Sequence, residues 1–423
     1  MHSKLVRRPL VGVLRRLPSA DARLLALVAG PEVRADPWSL YRRIRETRPV
    51  YRSRLGAWIV ADHAGASAIL RHPAVSVDES KSRGSQNPEP GAFIQLLSRT
   101  MLFRDPPDHE RLRRLVSRAF SPRRIEELRP RVEALTRERM DALTSRGGAD
   151  LLADLAYPLT VDVICELLGI LPSERHAFPT WARSLAARMD IEHVRTPQIE
   201  QAGDTAATEF AAFIDGLITD PRRRVAGGLI DSLVAAEEEG DHLTHDEVIS
   251  TCALLVFAGH ETTANLIGNG VLTLLRNPDQ FGELRAGTVS MSRAVEELLR
   301  YDGPVQFTQR IALTELDVGG HTIPAGEVVA LLLGCANRDP AVFDDPERLD
   351  LARDPNPHLA FSFGIHSCLG AALARMEAAV VLTQMIDRWP ELRLAGRPRW
   401  RDTFVVRGLR SLPIAWRTSS ARH

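Results

Sequence analysis

The sequence predicts a mainly α fold with a small β-rich subdomain, and three observations predict it. Apolar residues recur at helical spacing over most of residues 108–300. Alternating or β-branched stretches are short and lie near the two ends of the chain. Hydrophobic residues make up 44% and charged residues 26% of the 423 residues, a globular composition with ample material for a core.

Taken in order, residues 1–20 read as a loosely ordered basic tail carrying Lys4, Arg7, Arg8, Arg15 and Arg16. The apolar run at 24–30 that follows is too short to span a bilayer. Residues 38–45 read as a helix and 57–60 as a strand. Residues 79–91 form a polar loop with Gly and Pro, long enough to serve as a substrate or lid loop. In the segment 105–120, Asp108 is placed to cap a helix. His109, Leu112, Arg113, Val116 and Phe120 share its inner face, and Arg111, Arg114 and Arg118 its outer one. Thr244 and Glu247 form a capping box that opens the longest helix, which Pro278 stops after Asn277. Strand-like segments follow at 305–313, 317–323 and 328–333, punctuated by Gly319-Gly320 and Pro324. A Pro- and Asp-rich loop, 337–357, leads to the last helical run. With no repeat, low-complexity tract or linker, residues 1–423 read as a single domain.

The formal net charge is zero, which argues against nucleic acid and anionic membrane as partners. Cys165, Cys252, Cys335 and Cys368 show no paired spacing and suit a reducing cytoplasm.

The chemistry concentrates in Phe361-Ser-Phe-Gly-Ile-His-Ser-Cys-Leu-Gly370. Cys368 stands at the start of an Ala-rich helix, where the dipole and free N–H groups stabilise a thiolate. Gly364 and Gly370 permit a sharp turn or the close approach of a flat ligand, and His366 offers a polar handle. Phe361 and Phe363 are expected to screen the sulfur from water. A shielded thiolate suits haem iron. Zinc is the rival, but no second Cys/His pair stands at suitable spacing.

Ala258-Gly-His-Glu-Thr-Thr263 interrupts the apolar centre of the long helix. Gly259 removes a side chain where something approaches, and Thr262 can bond a carbonyl one turn back. Glu261 can carry protons if burial raises its pKa. A solvated kink with His260 and Glu261 facing outward is the alternative. Glu297 and Arg300 share a helix face, a pairing that on a surface adds only a few tenths of a kcal/mol.

The pattern Phe361-x-x-Gly364-x-His366-x-Cys368-x-Gly370, with the other three segments in the same order, resembles the cytochrome P-450 family from the Asp105 segment to about Leu373. The resemblance implies a triangular prism fold of the bacterial type, haem b with Cys368 as its iron ligand, and a monooxygenase using O2. It implies that His109, Arg113, Arg310 and His366 hold the haem propionates, and that Ala258, Gly259, Phe361, Gly364 and Gly370 border the cofactor. Glu261 and Thr262 become the acid and alcohol that deliver protons. Glu297 and Arg300 become an ion network closed by Arg348 or Arg353. Met101, Phe257, Val305, Phe307 and Phe404 fall where the family binds substrate, a hydrophobic small molecule tailored by hydroxylation or epoxidation in specialised-metabolite (antibiotic) biosynthesis. Electrons would come from NAD(P)H through a separate ferredoxin reductase and ferredoxin, docked on the outer arginines. A cytoplasmic monomer is expected. A peroxide-driven peroxygenase and a non-catalytic ligand-binding scaffold are the alternatives.

Overall fold

The computed structural model describes residues 19–84, 91–192, 194–238, 241–389 and 391–417. Residues 1–18 of the basic tail and 85–90 of the polar loop lie outside them. Ser19 caps helix α1 (Ala20–Ala29), whose Leu24, Ala26 and Leu27 are buried, so Ser19 and Ala20 belong to this helix. Helix α2 (Trp38–Thr47) and strands β1 (Val50–Arg52) and β2 (Trp58–Val60) follow, then α3 (His63–Arg71) and β3 (Val75–Ser76).

The α-rich part contains α4 (Ala92–Leu97), α5 (Asp108–Ala119), α6 (Pro122–Thr144), α7 (Tyr157–Leu168), α8 (Phe178–Arg188) and α9 (Pro197–Thr219). Pro107, not Asp108, takes the N-cap position of α5; Asp108 is its first residue, where a carboxylate favours the dipole. The inner face behaves as the spacing predicts, with His109, Leu112, Val116 and Phe120 buried. On the outer face Arg114 is exposed. Arg111 is not simply solvated, because it pairs with Glu247 and with Asp241 at 3.6 Å. The side chain of Arg118 lies outside the described residues.

Helix α10 (His245–Arg276) has both halves of its capping box and runs 32 residues, about 48 Å. It packs on α7, α8, α9 and α11 (Met291–Asp302) and is buried along most of its length. Strands β4 (Phe307–Ala312), β5 (Leu316–Val318), β6 (His321–Ile323) and β7 (Val328–Leu332) complete the β-rich side. The five-stranded sheet has the order β1-β2-β7-β4-β3, with β2 and β7 parallel. Gly319 and Gly320, both at positive φ, turn the β5–β6 hairpin. Helix α12 (Ala371–Arg388) follows the cysteine loop, and the pair β8 (Arg399–Trp400) and β9 (Leu409–Ser411) closes over α10.

Candidate active site

Three elements converge on the site: α10, α5 and the loop before α12. Over residues 248–274 of α10 only Ala258, Gly259 and Thr262 fall short of full burial. Two of them are one turn apart, so the helix opens along one narrow stripe. The Thr262 hydroxyl donates to the Ala258 carbonyl at 2.5 Å, the one-turn bond its position predicts. A Cβ on Gly259 would lie 2.8 Å from Ile164 Cδ1. The space a side chain would take is therefore filled by α7, while Gly259 itself stays on the half-buried stripe.

His260 and Glu261 turn inward, so the solvated-kink reading fails. His260 Nδ1 bonds Thr160 at 2.7 Å. Burial, aided by the charges of Arg401 and Arg183, pushes its pKa down to about 3, and the ring stays neutral. Glu261 is 3% exposed, and one carboxylate oxygen meets Arg401 at 2.9 Å. Its other oxygen accepts no well-formed hydrogen bond among the described residues, although Asn265 lies close enough to favour the anion. Burial raises the carboxyl's pKa, with Arg401 the main opposing influence. Arg401 also donates to Tyr157 Oη at 2.7 Å. No motif marks Arg401 or Tyr157 in the sequence; only the seating of β8–β9 on α10 brings Arg401 there. Gly408 allows that seating, since a Cβ would lie 2.1 Å from Asn265.

In the cysteine loop, the Cys368 amide donates to the Phe361 carbonyl at 2.9 Å. Cys368 is exposed in the protein alone; Phe361 lies under Arg375 and Phe363 under Arg71, each guanidinium 4.4 Å from the ring centroid. Surrounding protein pushes the thiol pKa up, opposed by the Gly370 amide on the sulfur and by Arg113 and Arg375. Gly364 adopts φ +72°, and a Cβ there would lie 2.5 Å from the Leu70 carbonyl. It serves the turn and the contact with α3. Gly370 has open space where a side chain would stand.

His109, Arg113, Arg310 and His366 do come together. The two imidazoles lie 4.3 Å apart. Burial, then the charges of Arg310 and His109, lowers the His366 pKa to about 3. Neither ring nitrogen of buried His109 makes a well-formed hydrogen bond, although the Ile365 backbone lies near enough to favour its protonated form. Arg310 Nε is likewise buried and unpaired, and burial lowers this guanidinium to about 10. Arg113 donates to the Ser367 carbonyl at 2.8 Å, tying α5 to the residue before Cys368. Buried donors without acceptors are costly. A planar ligand with two carboxylates, meeting a thiolate at its metal, fits this set; the residues fit haem b.

Behind the loop, Glu297 and Arg300 are fully buried and joined by two bonds of 2.7 Å. Arg353 closes the network at 3.2 Å, whereas Arg348 supplies only its carbonyl and leaves its side chain 66% exposed. Of the pocket residues, Met101 and Phe257 belong to the main core. Phe307 and Phe404 meet edge to face at 5.3 Å in a second cluster, and Val305 bridges Val406.

A mainly α fold with a cysteine loop facing an opened helix defines a thiolate-haem protein of one architecture. The family model described as Cytochrome P450 matches residues 176–288 and 290–392. The cytochrome P450 monooxygenase PikC of Streptomyces venezuelae is 39% identical over 97% of this chain and 98% of its own length. The 6-deoxyerythronolide B hydroxylase of Saccharopolyspora erythraea is 37% identical, covering 90% and 96%. The structure of P450BioI in complex with hexadec-9Z-enoic acid ligated acyl carrier protein superposes with a TM-score of 0.86 at 37% identity, over 92% of this chain and 100% of that one. The chain belongs to the cytochrome P450 family, of the bacterial type, and is a haem-dependent monooxygenase. No helix among the described residues is long and apolar enough to cross a membrane.

Proposed function

We propose that this enzyme, one catalytic domain over its length, inserts one oxygen atom of O2 into a hydrophobic small molecule, by hydroxylation or epoxidation, as a tailoring step of specialised metabolism. The observation that carries the chemistry is Cys368: a reachable sulfur that accepts the Gly370 amide, beside a cluster of donors suited to propionates. Named tailoring relatives, PikC and the 6-deoxyerythronolide B hydroxylase among them, support the metabolic role.

Haem b, when bound, supplies the iron at which O2 is reduced by two electrons and two protons to give water and the inserted oxygen. Cys368 ligates that iron, and Arg113, through Ser367, fixes the loop that presents it. His109, Arg310 and His366 take the propionates. Thr262 must release the Ala258 carbonyl before its hydroxyl can donate into the site, so a modest rotation gates it. Glu261, its pKa raised by burial and one oxygen unpaired, is the group that hands protons inward. Neutral, bonded His260 is not. This acid–alcohol pair favours O2 over a peroxide-driven reaction. Electrons come from NAD(P)H through a ferredoxin reductase and ferredoxin. The donor docks near Arg71 and Arg114, with exposed Ile365 beside the cysteine. The protein acts as a cytoplasmic monomer.

The deciding experiment is the carbon monoxide difference spectrum of the dithionite-reduced protein. A strongly red-shifted Soret band is expected, and Cys368→Ser removes it. A wild-type spectrum in that variant would overturn the ligand assignment; no haem signal in the wild-type protein would return the scaffold reading.

A further inference from the structure

Arg188 closes helix α8 where α4 and α9 meet it. Its stem packs over Gly203 of α9, where a Cβ would lie 2.7 Å from Arg188 Cβ and Cγ. A mid-helix glycine is unfavourable, yet here it makes the seat for this side chain. The guanidinium carbon lies 5.3 Å from the ring centroid of buried Phe93 on α4. The side chain is 10% exposed. Its Nε and Nη1 are buried and make no hydrogen bond among the described residues. The nearest carboxylate oxygen, on Glu200, stands 4.0 Å away, beyond hydrogen-bond range, and Glu200 is 43% exposed and shared with Arg195 at 3.8 Å. Glu79 feels the charge of Arg188, and one of its oxygens accepts from Gln309 at 2.7 Å. Two residues beyond Arg188, Asp190 accepts from the Phe404 and Val405 amides at 2.9 and 3.0 Å, which sets the end of α8 beside Phe404, one of the residues expected to bind substrate.

A guanidinium keeps its charge when buried and seeks planar oxygen acceptors. Here it is seated, desolvated and left with donors free, above an apolar ring. We propose that Arg188 binds an anionic oxygen group of the substrate, so that the enzyme selects molecules with an apolar body and an acidic end. The inference rests on the monooxygenase reading and narrows its substrate class. The anion is a carboxylate or a phosphate, since both offer the same oxygen acceptors.

The test titrates the holoenzyme by calorimetry with dodecanoate, dodecyl phosphate and dodecan-1-ol. At least one anion is expected to bind about tenfold more tightly than the alcohol; which one identifies the source of the charge. Arg188→Gln abolishes the preference, and Arg188→Lys retains part of it. Equal binding of all three by the wild-type enzyme overturns the proposal without recourse to any variant, and so does an unchanged preference in Arg188→Gln. The reduced carbon monoxide spectrum is recorded on every sample. Absent selectivity in a wild-type enzyme with an intact red-shifted band condemns the role of Arg188 alone, whereas a missing band in the wild-type enzyme condemns the thiolate assignment.

Discussion

Two buried ion pairs, built from the same residue types, stand on either side of the cofactor site. Around Glu297 every acceptor is used: Arg300 takes both oxygens, the Asp350 amide and Arg353 join, and Asn356 donates at 3.1 Å. Around Glu261 the accounting stays open, with Arg401 on one oxygen and no well-formed bond on the other. A closed network holds one arrangement and locks the loop that leads to Cys368. An open one leaves a carboxyl that can change its protonation state without dismantling the fold. The difference separates a pair that locks the fold from one left able to titrate, which burial does not do, since both glutamates are buried.

Four substitutions sharpen or break that contrast. Arg300→Met strands the Glu297 carboxylate, and about 3–5 kcal/mol of stability should be lost, read from urea unfolding; a loss under about 1 kcal/mol would remove the network from its structural role. Arg401→Gln should cost about 2 kcal/mol at pH 8, because Arg401 is only partly buried. The sign of its pH dependence follows from Glu261, whose pKa is raised by burial against Arg401, with Asp190 raising it further and Arg183 and Asn265 lowering it. A raised carboxyl stabilises the fold fully below its unfolded value and loses that contribution as pH rises through the folded one. Without Arg401 the folded value climbs further, so the deficit of the variant is larger at pH 8 than at pH 5 and shrinks as Glu261 takes its proton. Equal deficits at pH 8 and pH 5 would contradict the open network. Thr262→Ala loses one local bond and should shift stability by less than about 1 kcal/mol. Its effect should fall on coupling: haem and substrate binding persist while product formed per NAD(P)H drops and peroxide appears, as an oxygen-electrode assay would show. The smallest change belongs to Arg348→Ala, within about 0.5 kcal/mol, as the exposed side chain lies outside the network; a larger loss would reinstate it as the closing arginine.

Sequence reasoning succeeded where the cause is local. The Thr244–Glu247 capping box, the Gly319-Gly320 turn and the Thr262 back-bond each need only a few neighbouring residues, and each stands as read. The inner face of α5 followed from periodicity alone. A missing side chain announces that something approaches but not what: at Gly259 and Gly364 the space a Cβ would fill is taken by Ile164 and by the Leu70 carbonyl.

By itself the sequence determined the helical architecture, the thiol at the head of α12 and the acid and alcohol on α10, since periodicity, capping and motif spacing act over a few turns. Tertiary structure alone decided that Arg353 rather than Arg348 completes the Glu297 network, that Arg401 holds Glu261, and that Arg188 is buried with its Nε and Nη1 making no hydrogen bond among the described residues. Ion pairing and burial depend on distances through space between segments far apart in the chain, and no local pattern records them.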